Sequence, residues 1–272
     1  MLADKVTCLI FSCDKFSDLW DGNLKLFRQN WPDRDFKTYI VTDKPTSRTF
    51  PDVEIIAAGA DVEWSDRLKF ALDFVNTDYV FVTLDDYFLI KKVDNKRMEH
   101  LVELMINDGY DYIRLFKNPT KATGEKVEGE DDLYYIKTEA NYSINLYSGF
   151  WSKKFFEYCV REPRSAWMFE VTLHECAVKY KAHCIVSYKE EYKILDVVRK
   201  GKILRKAARY FKYHPGIYKG TREQQSLLYE MKLWLKTFVQ EHIPKCLFKS
   251  VRTIYVKLGG QSFTYQRDKE QI

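Results

Sequence analysis

The run Tyr79–Leu84 (YVFVTL), followed at once by Asp85 and Asp86, constrains this chain more than any other feature. Six uncharged residues dominated by β-branched and aromatic side chains read as a strand buried on both faces. Such a strand belongs inside a sheet covered by helices, and the preceding residues supply both. Val6–Ser12 is a short apolar strand; Asp18–Gln29 has helical spacing and stops at Trp31-Pro32; Thr38–Val41 and Val53–Ile56 are two more strands. Ser65 or Asp66 is placed to cap a helix whose Leu68, Ala71, Leu72 and Val75 share one face. The alternation predicts an α/β fold, a mostly parallel sheet flanked by helices. Ligands of such sheets gather beyond the carboxyl ends of the strands. Asp14, Asp43 and the Asp85-Asp86 pair each follow a strand end and so line one edge, although turn chemistry also favours Asp there.

Further along, Asp94–Asn107 reads as a helix, Tyr112–Phe116 as a strand and 117–132 as a polar, mobile lid-like loop. Ile144–Trp151 is strand-like, Lys154–Val160 and Ala166–Tyr180 are helical, and Cys184–Tyr188 is the last strand. Past about residue 196 the pattern becomes basic and helical, broken at His214-Pro215-Gly216, Lys219-Gly220 and Pro244. Charge changes there too. Residues 199–267 hold 16 Lys and Arg against 3 Asp and Glu, whereas residues 1–198 hold 27 against 34. Two units follow: 1–196 as the catalytic α/β domain and 197–272 as a basic helical extension.

Two adjacent carboxylates are costly to bury unless a cation stands beside them. A hard divalent ion, Mn2+ or Mg2+, bound also to nucleotide phosphates would serve. Strand alternation turns neighbours to opposite sides, so one of the pair, Asp86, is the expected direct ligand, with Asp85 turned towards a sugar or the backbone. A solvated pair in an exposed turn is the plain alternative. No GxxxxGK[ST], GxSxG or GxGxxG motif is present. Glu170 follows Trp167, Met168 and Phe169, apolar neighbours that raise a carboxyl pKa towards a useful base; His174 and Glu175 are second choices.

The runs LIFSCDKFSDLW (Leu9–Trp20), WSDRLKFAL (Trp64–Leu72), YVFVTLDDYFLI (Tyr79–Ile90), YSINLYSGFW (Tyr142–Trp151) and SAWMFE (Ser165–Glu170) together resemble GT-A glycosyltransferases, particularly bacterial enzymes of capsule and lipopolysaccharide assembly. The resemblance covers roughly residues 5–190. It implies base and ribose contacts at Cys13, Asp14 and Asp43, donor contacts at Ser65, Asp66 and Arg67, metal at Asp85 and Asp86, and Glu170 as the base of an inverting transfer. Arg67 also has Asp66 and Asp73 within reach on its own helix. Asp85 and Asp86 are adjacent, where the family's acidic motif usually has a residue between its carboxylates. The implied partners are a nucleotide-sugar donor, a UDP-sugar first, and a saccharide or lipid-linked acceptor.

Aromatic residues make up 16% of the chain, and Tyr147, Trp151 and Trp167 are candidates to stack on an acceptor sugar, or are core. Arg199, Lys200 and Lys202 are candidate phosphate contacts. Leu233–Lys257 mixes apolar and basic residues, as a helix on an anionic membrane surface does, or as a packed extension does. Six scattered cysteines without CxxC spacing point away from zinc and disulfides, and no stretch approaches a spanning helix. A cytoplasmic location is expected, with peripheral contact at the inner face of the plasma membrane. The basic, aromatic tail alone would suit nucleic acid, but the acidic first 198 residues argue against it. Another metal-dependent nucleotide enzyme is the remaining alternative.

Overall fold

The computed structural model describes residues 1–116, 123–242 and 253. Strand β1 (Val6–Phe11) leads through a 3-10 turn (Asp14–Leu19) into helix α1 (Trp20–Asn30). Strands β2 (Thr38–Thr42) and β3 (Glu54–Ala57), helix α2 (Trp64–Leu72) and strand β4 (Tyr79–Leu84) follow. Next come β5 (Tyr87–Leu89), α3 (Asn95–Asp108), β6 (Tyr112–Arg114), β7 (Thr123–Lys126), β8 (Leu133–Ile136) and β9 (Gly149–Ser152). Helices α4 (Lys153–Cys159) and α5 (Ala166–Tyr180) precede β10 (Cys184–Ser187) and the short β11 (Ile194–Asp196), β12 (Val198–Arg199) and β13 (Lys202–Ile203). Helices α6 (Arg205–Tyr213) and α7 (Leu227–His242) complete the described chain.

Nine strands form one sheet in the order β3-β2-β1-β4-β9-β6-β10-β8-β7. Strands β1 to β4 pair in parallel; β9 runs against both β4 and β6, and β8 runs against β10 and β7. The other seven strands therefore point one way, and the fold is α/β with a mixed, largely parallel sheet. Alternation along β1 and β4 decides the two faces. Leu9, Phe11, Val80 and Val82 pack with Leu68, Leu72, Phe155 and Phe169 under α2, α4 and α5. Cys8, Ile10 and Phe81 pack with Trp20, Phe27, Met98 and Leu101 under α1 and α3.

Three expectations change. The polar stretch 117–132 is not one long loop: residues 123–126 form edge strand β7 against β8, and 117–122 lie outside the described residues. Strand β10 is not the last, because β11 pairs antiparallel with β5, and β12 with β13. Neither Ser65 nor Asp66 caps α2. Its cap residue is Glu63, without a side-chain hydrogen bond, and Ser65 lies inside the first turn. By contrast Asp94 caps α3 as its sequence suggests, accepting from the Lys96 and Arg97 amides.

A third core joins the C-terminal part to the start of the chain: Val197, Ile203, Ala207 and Ile217 pack on Leu19, Leu26 and Phe88. Gly22 on α1 permits this approach. A Cβ there would stand 2.2 Å from the Ile217 carbonyl oxygen and 2.9 Å from the Phe88 ring. Alanine is the better helix former by about 0.5–1 kcal/mol, but overpacking costs typically about 1–3 kcal/mol. Gly22→Ala is thus expected to lower the melting midpoint and to open residues 205–226 to limited proteolysis. A raised midpoint would mean that the contact is not tight.

Candidate active site at the carboxyl edge of the sheet

The turn between β4 and β5 carries Asp85 and Asp86. Asn23 on α1 fixes it, donating through Nδ2 to the carbonyls of Asp85 (3.0 Å) and Tyr87 (3.2 Å). The Asp85 amide donates to the Phe11 carbonyl at 3.1 Å, extending the β1–β4 ladder by one residue. Its carboxylate, 7% exposed, turns back to β1 and accepts from Ser12 Oγ, which in turn accepts from Trp20 Nε1 at 2.7 Å. Asp86 faces the other way. Its carbonyl accepts from the Val197 amide at 2.9 Å, and its half-buried carboxylate feels Asp196 and Arg199. Burial and Asp196 push the Asp86 pKa up to about 7 against the pull of Arg199. Burial, then Asp86, holds Asp85 well above the usual carboxylate range, with Ser12 opposing. The two neighbours diverge: Asp85 is held by Ser12 beside β1, and Asp86 lies by Asp196 and Arg199.

Arg199 is delivered by the β12–β13 hairpin, whose turn residues Lys200 (φ 51°) and Gly201 (φ 76°) both have positive φ. Such a two-residue turn matches strand twist and favours Gly at its second position. Arg199 donates through Nε and Nη2 to Asp196 Oδ2 at 2.9 and 2.7 Å. The other oxygen, Asp196 Oδ1, is buried without a hydrogen-bond partner among the described residues. Directly across the hairpin, Lys202, which the sequence puts among the phosphate contacts, pairs with Glu223 at 2.7 Å. Asp196 closes a short aliphatic strand just as Asp14, Asp43 and Asp85 do. The sequence pattern, which places the last strand at Cys184–Tyr188, leaves this one out.

Glu170 enters from α5, which Ser165 caps by accepting from the Met168 amide at 3.4 Å. The carboxylate is half-buried, accepts from the Leu146 amide and lies within the field of Arg199; burial raises its pKa, with both groups opposing. It also acts electrostatically on Tyr87 and Tyr147. Those two rings stack at 5.7 Å with 14° between planes, and Tyr147 leans on Phe116 at 4.9 Å. Asn145 Oδ1 accepts from the Tyr147 amide at 3.2 Å and so fixes the loop that presents this ring.

A second group lies beyond β1 and β2. The Asp14 amide donates to Asp43 Oδ1 at 2.5 Å, and Thr42 Oγ1 donates to the same oxygen at 3.2 Å. Burial opposes ionisation of Asp43, but these amide bonds and nearby Arg67 hold its pKa below the usual value. Arg67 Nε is buried without a hydrogen-bond partner among the described residues. Burial, Asp85 and Asp43 together raise the Cys13 thiol. The Asp14 carboxylate is 46% exposed and 3.9 Å from Lys44, and Asp66 sits half-buried in the first turn of α2.

Two sequence candidates do not belong here. Ser65 is fully buried, donates to the Glu162 carbonyl (3.0 Å) and accepts from the Arg164 amide (2.6 Å); it fastens α2 to the segment before α5. Trp151 is fully buried between Tyr112, Phe155 and Phe156 and is a core residue, because β9 lies between β4 and β6 with helices on both faces. Trp167 is 56% exposed on the first turn of α5. Arg222 was not anticipated. It donates to Asp18 at 2.7 Å (Nε) and 2.6 Å (Nη2), to the Lys15 carbonyl and, at 3.2 Å, to the Gly201 carbonyl. Tyr218 joins it on Asp18 at 2.9 Å. The turn after β1 is thereby clamped to the hairpin that bears Arg199, a long-range tie that no local pattern announces.

Among the described residues, no group of three or more His, Cys, Asp or Glu is arranged to hold a metal ion. A smaller donor set does fit one. Magnesium-type sites commonly use one or two carboxylates and complete their shell with phosphate and water. Asp86 and the orphaned Oδ1 of Asp196 provide two such oxygens, and a cation would offset the burial and the repulsion from Asp196 that raise Asp86.

No protein-family model matches the sequence, and no curated protein matches it. Among solved structures it is similar to the bifunctional IspDF from Campylobacter jejuni, at 15% identity over 71% of this chain and 52% of that one, with TM-score 0.42. Residues 1–349 of S. aureus TarS match at 10% identity over 69% of this chain and 59% of that one, TM-score 0.44. CMP:2-keto-3-deoxy-manno-octonic acid synthetase complexed with CTP matches at 13% identity over 77% and 96%, TM-score 0.44. The chain thus spans between half and three-fifths of the length of the first two. Likeness at this level is distant and assigns no activity, which is left to the residues themselves.

Proposed function

We propose that this chain is a divalent-metal-dependent glycosyltransferase of the GT-A type, moving a sugar from a nucleotide-sugar, a UDP-sugar first, to a saccharide or lipid-linked acceptor in surface polysaccharide synthesis. One observation carries this reading: Asp86, Asp196, Arg199 and Glu170, from four separate elements, converge beside the stacked Tyr87 and Tyr147 at one edge of the sheet. Residues 1–196 supply the donor pocket, and the extension 197–272 contributes Arg199.

In this reading Cys13, Asp14 and Asp43 face base and ribose, and Arg67, beside Asp43, meets the diphosphate. Asp66, on the same helix turn, borders the donor. Asp86 and Asp196 hold Mn2+ or Mg2+, which when bound supplies positive charge for the departing nucleoside diphosphate. Arg199 adds fixed positive charge where the leaving group develops its negative charge. Tyr147 and Trp167 offer ring faces to the acceptor sugar. Glu170 takes the acceptor hydroxyl proton as that oxygen bonds to the anomeric carbon and the carbon–oxygen bond to the diphosphate breaks. Its burial and raised pKa make it a stronger base than an ordinary carboxylate.

A thermal-shift panel of UDP-, GDP- and CMP-sugars with and without Mn2+ tests the reading. Binding to the folded state raises the midpoint by mass action, about 2.7 kcal/mol of stability at a hundredfold excess over Kd. One donor class is expected to stand out and to need the metal, with its free nucleotide (UDP, GDP or CMP) released on adding acceptor saccharides. Release of pyrophosphate from a nucleoside triphosphate and a sugar phosphate would instead make the chain a nucleotidyltransferase.

A further inference from the structure

Helix α6 divides its surface sharply. Ala207 is buried, and Leu204, Ala208 and Phe211 pack with it on the third core. The remaining face carries Arg205, Lys206, Arg209 and Lys212, and among the described residues the side chains of these four make no ion pair. That is unlike Arg199, Lys202 and Arg222 of the same segment, each matched to a carboxylate. Arg205, Arg209 and Lys212 recur at helical spacing and line a shallow groove of about 260 Å³ with Ala208, Tyr213 and Gln224. Among the described residues no carboxylate lines it.

Exposed apolar residues gather in the same part of the chain. Tyr213 at the end of α6 is 72% exposed. On α7, Leu227, Leu228, Met231 and Trp234 are 57, 63, 56 and 65% exposed. At 100° per residue those four fall on one side of the helix. The start of α7 is tied to the start of α6, because Glu230 accepts from the Arg205 amide at 2.6 Å and Lys200 lies over the Tyr229 ring at 5.7 Å. Over residues 199–234 there are ten Lys and Arg against two Glu. Unpaired cations beside an exposed apolar stripe match the two layers of an anionic bilayer: phosphate headgroups for the first, acyl chains for the second. A nucleic acid would use the cations and leave the aliphatic side chains in water.

We infer that the basic face of α6 and the apolar stripe of α7 form a docking surface for an anionic lipid membrane. The sequence alone points to Leu233–Lys257, most of which lies outside the described residues; the described surface begins earlier, on α6. Docking there sets the hairpin that bears Arg199 close to the bilayer. It stands independently of the chemistry at the sheet edge, since the residues of α6 and α7 that form it are not among those placed at that site.

Co-sedimentation of the full chain with phosphatidylcholine vesicles, with and without phosphatidylglycerol, tests this. Binding is expected only to the mixed vesicles and to fall with salt. The variant Arg205→Glu/Arg209→Glu/Lys212→Glu is expected to weaken partitioning at least about a hundredfold, at roughly a fivefold factor per cation lost. Met231→Ser/Trp234→Ser is expected to weaken it at all salt concentrations, with melting unchanged in both variants because these side chains are exposed. Equal binding to both vesicle types, undiminished partitioning of the triple variant, or displacement from vesicles by single-stranded oligonucleotide would each overturn the inference, the last in favour of nucleic acid. Donor turnover in detergent-free buffer is expected to be retained by both variants.

Discussion

Glu170→Gln is expected to lower kcat for sugar transfer by about 10²–10⁴-fold, the usual contribution of a positioned general base. Donor affinity should stay where it was, because the carboxylate lies by Tyr147 and Leu146 rather than in the cluster beyond β1 and β2. Gln is nearly isosteric and can keep the hydrogen bond from the Leu146 amide, so the helix should not shift. The pH profile adds a sharper test. Burial raises the pKa of this group, so the acid limb of kcat in the parent enzyme should lie above the ordinary carboxylate range, and the base form should dominate only beyond it. In the variant that limb should vanish. An unchanged kcat, or a profile that keeps its acid limb, assigns the base to another residue.

Asp86→Asn should separate activity from stability. Removing the carboxylate that faces Asp196 and Arg199 is expected to cost kcat/KM at least about 10²–10³-fold, comparable with loss of a fixed electrostatic stabiliser. The metal dependence of donor binding should weaken with it. Stability should move the other way. The folded pKa of Asp86, about 7, exceeds its unfolded value of 3.8, so its contribution is fully present below pH 3.8 and is lost as pH rises through 7. Above pH 7 the ionised, partly desolvated carboxylate is a liability of the order of 2 kcal/mol, well under the full shift because the side chain retains solvent. The asparagine variant should therefore melt higher than the parent at pH 8 and level with it at pH 4. Mn2+ should stabilise the parent more at pH 8 than at pH 5, since it competes with the proton. A variant that melts lower at pH 8 would show the carboxylate to be structural.

Period-two and helical patterns were enough to place β1 to β4, α2, α3 and α5, because each buries a face whose spacing is set by its own residues. The divergence of Asp85 and Asp86 was legible for the same reason. Asp14 and Asp43 stand just beyond β1 and β2, and Glu170 near the start of α5, where the sequence places them, because the ends of those elements are set by local pattern. What escaped depended on pairing across the chain. Strands β5 and β11 are three residues each and are strands only because they pair with each other. Asp196 acquires its place through that pairing, and Arg222 through Asp18, 204 residues away. Trp151 misled for the opposite reason. An aromatic residue at a strand end looks the same in sequence whether it faces a sugar or the core, and β9, inserted between β4 and β6, puts it inside.

The core that joins Leu19, Leu26 and Phe88 to Val197, Ile203, Ala207 and Ile217 bears on how such a chain can be engineered. Ending it after residue 196 at the change in charge would strip an apolar lining from α1 and β5 and remove Arg199 and the Arg222 clamp together. Replacing the basic segment with another would therefore require rebuilding the facing side of α1 as well.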